Sequence, residues 1–594
     1  MAGYWPEALL GLSACLILLG FLGSPQLWGK REQRAAAETL DTVENHHWLV
    51  AEIQGRPRLE KPPLPRWTAA AIVLLAGRCT EGLVRLPSAL AGVATVALVY
   101  SLGRGIGGRP LGLTSAAALC TFGLFVSEHR QAGNDGMLAL FTTLALHAAW
   151  CLIHGKARSL VFWMALGLGF LCKGPVVLML VGVTVVPYLA CTGGLRTHGR
   201  RFVALDGLAV FLALALAWPL AVAARDPQAV GVWITEMGQK SGVLGIKHRG
   251  REVLATLFPL LSLPWSVLGV AGVLLPAVGN RRVAVPWRPS DVWFPWWWAV
   301  GNLAVFSGWS VSKPNYFVPC LPGLAILVGM AWLRLCAMAR DERRRTASRW
   351  SRGILGLQCG LLAMSAGLLP LVARLQLAEA PWPLLILISG VLCCGVLLGA
   401  VLARGGHEAL APLPVAACCA AAVLIGYGIV APMDDPARGH AGLARRLDHL
   451  LPARVETVHF FHEIDEGLWF YLRDRRLAPV PGSRPRYSDS YDNLGSGLLG
   501  SSKDTPPALA PGALSPASRA RSLRDWLDTR GSRDEFVLVR SSVYDRLLPE
   551  IEGAIEPVYR ERGLKRNELV LLRAGGTSRP MTVARAPTPP RDGR

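Results

Sequence analysis

Apolar and polar positions alternate along this chain in long blocks. Between residues 8 and 430, apolar runs of roughly 16–22 residues recur, a length that matches a hydrocarbon core of about 30 Å at 1.5 Å rise per residue. Thirteen such runs read as membrane-spanning helices: 8–28, 86–103, 111–127, 136–153, 159–173, 175–191, 204–223, 256–277, 290–309, 315–336, 353–374, 382–403 and 409–430. A further apolar segment, "PPLPRWTAAAIVLLAG" (Pro62–Gly77), is shorter and opens on a proline cluster. Its length and flanks predict an interfacial helix, not a span. The first run lacks a basic leader and a small-x-small cleavage site, so it reads as a retained span.

After residue 431 the pattern changes to short β-like runs in a polar background: "ETVHFF" (456–461), "EFVLVR" (535–540) and "NELVLLR" (567–573), with a helix-like "GLWFYLRDRR" (467–476). The expected architecture is a polytopic α-helical membrane domain (1–431) followed by a C-terminal soluble α/β domain (432–594). Residues 29–85 form the first external loop of the membrane domain, with juxtamembrane helices. Residues 495–518 read as a Gly/Ser/Pro loop, and the last 15 or so as a disordered tail.

Charge orients this frame. The short loops 103–109, 154–158, 197–201, 279–288 and 339–352 all carry Lys or Arg. Thirteen spans with the N-terminus in the cytoplasm place every one of them inside, as the positive-inside rule requires. Counting Pro62–Gly77 as a span would invert them. The net charge of +21 is thus spent largely on topology, and a nucleic-acid partner is not expected. All 13 Cys precede residue 420, none at metal-ligand spacing, so neither a disulfide framework nor a structural metal site is expected. "GRGIGG" (103–108) follows a span and is not a dinucleotide loop, His46-His47 reads as a surface pair, and "FPWWWAV" (294–300) as an interfacial aromatic belt.

With that topology, several charged clusters gather at the outer face. The loop Trp28–Trp67 holds Arg31, Glu32, Arg34, Arg58, Glu60 and Lys61; "SEHRQAGNDG" holds Arg130 and Asp135; "LCKGPV" holds Lys173; "SGWSVSKPNYFVP" holds Lys313 and Tyr316. Ionisable side chains beside spans are costly and point to function, although single ones near span ends also serve as anchors. Cations and carboxylates converging on one membrane surface suit a lipid-linked phosphate. Displacing phosphate from an anomeric carbon builds negative charge on the departing oxygen, which Lys and Arg stabilise while a carboxylate takes the acceptor's proton. A cationic cavity would also suit a polyprenyl-lipid transporter, but that class distributes its charges through the bilayer depth.

At these residues the sequence resembles the C-type (GT-C) integral-membrane glycosyltransferases. The resemblance lies in "RPRLEKPPLPRW" (56–67), "EHRQAGNDGMLALF" (128–141), "GFLCKGPVVLML" (169–180) and "FSGWSVSKPNYFVPCLPGLAIL" (306–327), in order across most of residues 1–330. It is nearest to lipid A aminoarabinose transferases and bacterial protein O-mannosyltransferase-like enzymes. It implies a polyprenyl-phosphate sugar donor, a lipid, glycan or protein acceptor, and inverting transfer at the outer face of the plasma or inner membrane. It also implies that Glu60 and Lys61 face donor and acceptor, that Asp135 is the family's second acid, and that Lys173 and Lys313 stand near the phosphate. Arg58 and Arg130 would support them, with Arg34 and Tyr316 as further contacts. No cofactor is named by the sequence, and a divalent metal stays an open option.

One departure stands out. Where the family carries Asp-Glu after the first span, this chain has "REQR", with Arg31 in the place of the Asp. Three readings follow: Glu32 or Asp135 serves as base with Arg31 as an added contact; Arg31 pairs the charge of a different acceptor; or the chain is a non-catalytic relative. The catalytic expectation is Glu32 and Asp135.

Overall fold

A computed structural model describes residues 3–53, 56–156, 159–241, 257–278, 285–309, 313–341, 345–377, 380–435, 439–461, 466–480, 523, 526, 535–545, 555–560 and 569–574. The expected loop at 495–518 and the C-terminal tail lie outside them. The helices used below are α1 (Trp5–Leu19), α2 (Lys30–Glu44), α3 (Leu64–Ala76), α4 (Glu81–Thr121), α5 (Gly123–His129), α6 (Asn134–Ile153), α7 (Ser159–Lys173) and α8 (Val176–Cys191). Contacts divide the chain into two units. The first comprises residues 1–25, 42–51 and 59–434, and the second 26–41, 52–58 and 435–594.

The first unit is helical. Among the described residues, seven helices are long and apolar enough to cross a membrane: α4, α6, Leu205–Arg225, Pro314–Arg340, Arg345–Gln376, Trp382–Arg404 and Pro412–Met433. The protein is therefore a polytopic helical membrane protein. The helix within 314–340 is buried nearly throughout, from Leu321 to Trp332 without interruption, and so forms the centre of the unit. By contrast, Leu205, Leu208, Leu212, Leu216 and Leu220 of the helix Leu205–Arg225 are exposed, as expected where lipid replaces protein as the apolar neighbour.

Other apolar runs fold as shorter or interrupted helices. α1 ends at Leu19, well short of the expected residue 28. Runs 86–103 and 111–127 are joined in α4 through non-helical Gly107 and Gly108. A Cβ on Gly103 would lie 3.0 Å from the Gly112 Cα, so the chain doubles back on itself there. "GRGIGG" is thus the elbow of a helical hairpin, a role that needs glycine because Gly108 has φ +76°. Residues 289–307 run through 3₁₀, α and π turns in succession.

The second unit is built on a five-stranded mixed sheet in the order β4-β3-β5-β7-β6, with strands β3 (Thr457–Phe461), β4 (Arg476–Pro479), β5 (Glu535–Arg540), β6 (Ile555–Arg560) and β7 (Leu569–Ala574). A two-stranded ribbon pairs β1 (Glu52–Ile53) with β2 (Arg56–Pro57). β3 is parallel to β4 and β5, while β7 is antiparallel to β5 and β6. Period-two alternation sends Val458, Phe460, Phe536 and Leu538 to one face and Phe461, Val537 and Val539 to the other, and both faces are buried. Leu443 and Leu447 of the helix Ala441–Leu450 and Leu468 of Glu466–Tyr471 cover the first face. Strands covered on both faces read as continuous apolar runs, which is why "FVLV" and "LVLL" lack polar alternation.

The division by contacts differs from the one read from sequence. Residues 26–41 and 52–58 of the first loop belong with residues 435–594, and only the rest of that loop belongs with the helices. In the second unit, Asp435 Oδ1 accepts from the Gln26 backbone N–H at 2.9 Å and from Trp28 Nε1 at 2.7 Å. The Tyr471 hydroxyl accepts from the Leu27 N–H at 2.9 Å. A Cβ on Gly467 would lie 2.8 Å from both Gln33 Nε2 and His440 Nδ1, so glycine there admits α2 at close range.

Candidate functional site

Three of the sequence clusters meet in the first unit. Asp135 stands in the first turn of α6, where a carboxylate is favoured by the helix dipole, and it is buried. Lys173 ends α7; Gly174 follows in the left-handed region at φ +68°, and Pro175 stops the helix. That reversal leaves the lysine side chain at a helix end, where its Nζ donates to Asp135 Oδ1. Asn315 lies in the 3₁₀ turn Pro314–Cys320, and its Nδ2 donates to Asp135 Oδ2 at 2.7 Å. The Lys173 ammonium also sits 4.4 Å from the centre of the Tyr316 ring, a cation–π distance. Residues 135, 173, 315 and 316 therefore form one cluster of a carboxylate, an ammonium, an amide and a phenol ring.

The floor of this cluster is tightly packed. Asn134 Nδ2 donates to the Cys172 carbonyl at 3.2 Å, tying the start of α6 to the end of α7. Buried His129 lies against Gly136, where a Cβ would come within 3.2 Å of its Cδ2. Its Nδ1 donates to the Phe125 carbonyl at 2.8 Å. Burial pushes the imidazole down to about 4, against a smaller opposing pull from that carbonyl, so the ring is neutral at pH 7.

The other expected contacts are placed differently. Lys61 Nζ pairs with Glu236 at 3.0 Å, and neighbouring Glu60 is buried. Trp233 Nε1 donates to the Leu59 carbonyl at 2.7 Å, so this end of the loop is fixed to the helix Gln228–Ser241. Lys313 is exposed just before the 3₁₀ turn. Arg130, expected as a phosphate contact, is engaged with the end of α1. Its guanidinium donates to the Ile17 carbonyl at 2.5 Å and the Gly20 carbonyl at 2.8 Å, and stacks 3.9 Å from the centre of the Tyr427 ring. It caps α1, whose terminal carbonyls need donors.

Arg31, Glu32, Arg34 and Arg58 lie in the second unit. Glu32 is buried on α2 and Arg31 is exposed beside it. Arg34 donates through Nε and Nη2 to Glu466 Oε1 at 3.1 and 2.9 Å, and Arg58 Nε donates to Glu38 at 3.2 Å. Arg34 and Arg58, expected as phosphate contacts, are thus each tied to a glutamate of their own unit. Sequence reasoning missed Asn315, Glu236 and Glu466. Asn315 is neutral and escapes a search for ionisable groups, although it sits between the two residues singled out in "KPNY". Buried Arg66 was also missed; it donates to Thr42 Oγ1 at 2.5 Å and to the His47 carbonyl at 2.6 Å, holding residues 42–51 to α3.

The chain has the fold of the C-type integral-membrane glycosyltransferases: it superimposes on the crystal structure of ArnT from Cupriavidus metallidurans bound to undecaprenyl phosphate with a TM-score of 0.74, over 97% of this chain and 100% of that one, at 19% identity. The apo structure of the same protein gives 0.72. Residues 60–220 match the family of dolichyl-phosphate-mannose-protein mannosyltransferases. Within the class, the chain resembles undecaprenyl phosphate-α-4-amino-4-deoxy-L-arabinose arabinosyl transferases. That of Pseudomonas aeruginosa strain LESB58 is 28% identical over 383 residues, covering 63% of this chain and 66% of the relative, and one from Pseudomonas fluorescens Pf-5 is 27% identical over 61% of each. The chain therefore spans just under two thirds of the length of the first of these relatives.

Proposed function

We propose that this protein is a glycosyltransferase of the inner membrane that moves a sugar from a polyprenyl phosphate to a lipid, glycan or protein acceptor at the outer face. The observation that carries this reading is the meeting of Lys173, Asp135, Asn315 and Tyr316, drawn from three separated motifs, in a chain with this fold. The relatives' undecaprenyl-phosphate donors support the donor class. In the proposed reaction the acceptor's hydroxyl or amine attacks the anomeric carbon, the bond from that carbon to the phosphate oxygen breaks, and the configuration inverts. Lys173 stabilises the negative charge that returns to the phosphate. One of its three N–H bonds is spent on Asp135, which leaves two for phosphate oxygens. Glu60, Lys61 and Lys313 are assigned to donor and acceptor recognition, with Arg31 as a further acceptor contact. The proton of the attacking group passes to a carboxylate base, for which the sequence offers Glu32 and Asp135.

The topology proposed with this function has thirteen spans, a cytoplasmic N-terminus and an extracytoplasmic second unit. It rests on the basic loops at 103–109, 154–158, 197–201, 279–288 and 339–352. Reconstituted protein given radiolabelled polyprenyl-phosphate pentoses and hexoses tests the activity. Release of polyprenyl phosphate that depends on an added acceptor is expected for at least one donor. A wild-type protein that neither binds nor consumes any of them would remove the proposal.

A further inference from the structure

The acid of this cluster is held in a way that decides its role. Asp135 is buried, and both of its carboxylate oxygens accept hydrogen bonds, Oδ1 from Lys173 and Oδ2 from Asn315. The two donors come from separate elements, one from the end of α7 and one from the 3₁₀ turn before the central helix. Below it, Gly136 packs on His129 and Ser88, so the first turn of α6 has no room to slide. A carboxylate that bridges an ammonium and an amide fixes the geometry of both donors.

We propose that Asp135 is a positioning residue, and that Asn315 acts through it to set the Lys173 ammonium over the Tyr316 ring, where it meets the phosphate. The inference rests on the glycosyltransferase reading and deepens it. Lys173 has four rotatable side-chain bonds and would otherwise sample many positions. Its bond to Asp135 selects one, and Asn315 prevents the carboxylate from turning away. The aromatic face supplies the second wall, so the ammonium is oriented before the donor arrives. An exchange of Asn315 would therefore be felt at the phosphate although the amide is two interactions removed from it.

The test compares N315A, D135N and the double variant, each as full-length protein in nanodiscs. Binding of undecaprenyl phosphate, steady-state kinetics with a donor that wild type uses, the pH–rate profile and the thermal midpoint are measured for each. The expected result is weaker lipid-phosphate binding and a higher donor KM by about 10- to 100-fold in each single variant, the size associated with a lost hydrogen bond to a charged group. The double variant is expected to be no weaker than D135N, because Asn315 works only through Asp135. The pH–rate profile of D135N is expected to keep the limb of the true base. The proposal is overturned if D135N binds undecaprenyl phosphate like wild type while turnover is abolished, which would make Asp135 the base. It is also overturned if N315A matches wild type, or if the two changes add in full alongside a collapsed thermal midpoint. Each of these leaves wild-type turnover in place, whereas a wild type that fails to use any donor would instead sink the functional reading.

Discussion

Single side chains in this protein divide into those that hold helices and those proposed to hold chemistry, and charge alone does not tell them apart. Arg130 and Lys173 looked equivalent in the sequence, each a cation at the outer end of an apolar run. Arg130 faces the carbonyls that end α1, whereas Lys173 faces a carboxylate and an aromatic ring. Arg130→Ala should therefore lower stability by about 2–3 kcal/mol, as expected for hydrogen bonds from a charged donor, yet leave the donor KM unchanged; thermal unfolding and kinetics on the same sample check both. His129 gives a pH prediction. Its folded value of about 4 lies below its unfolded value near 6.5. The unfolded chain thus binds the proton more readily, so stability is full above pH 6.5 and declines as pH falls toward 4, by about 3 kcal/mol at most. His129→Gln should flatten that decline in a thermal-shift series from pH 7 to pH 4.5.

Elements were legible wherever one physical rule governed them. α6, α7, α8 and the long helices from 205 to 433 follow apolar length. The central strands β3 and β5 follow their β-branched and aromatic residues, and β7 follows its apolar run. β4 and β6 escaped notice because they are the two edges of the sheet, and edges tolerate what a central strand excludes. Each contains a proline, Pro479 and Pro557, and each begins or ends in charge. The helix-like stretch after residue 467 stops at Tyr471 because Arg476 already enters β4. α3 is 13 residues long, about 20 Å at 1.5 Å per residue, and it ends in left-handed Gly77 with Leu75 89% exposed. A spin label at position 75 should report a depth of about 5–10 Å below the headgroup boundary, as for an interfacial helix. A depth at the bilayer centre would instead mean that α3 spans, and would invert the proposed topology.

At the scale of the whole molecule, the assignment of the first loop could not be read from the sequence. Residues 26–41 are polar and amphipathic, and nothing local says that their partners lie some 400 positions later, at Asp435, His440, Glu466 and Tyr471. The candidate cluster was legible in part for the opposite reason. Asp135, Lys173 and Tyr316 are costly beside apolar runs and announce themselves, while neutral Asn315 does not. The second unit contains α2, with Arg31 and Glu32. Glu466→Ala, which leaves Arg34 without this carboxylate, should lower the unfolding midpoint and expose residues 29–41 to limited proteolysis, read by mass spectrometry of the fragments.

The central claim is that Lys173, held by Asp135, stabilises the phosphate leaving a polyprenyl-linked sugar. Its most direct test is the single-turnover transfer rate of reconstituted wild-type and Lys173→Met protein with a polyprenyl-phosphate sugar that the wild type consumes. A loss of about 100-fold or more is predicted for the variant, the scale of removing one charge-stabilising donor, measured at a temperature where both proteins stay folded. A variant that transfers sugar at the wild-type rate would contradict the account.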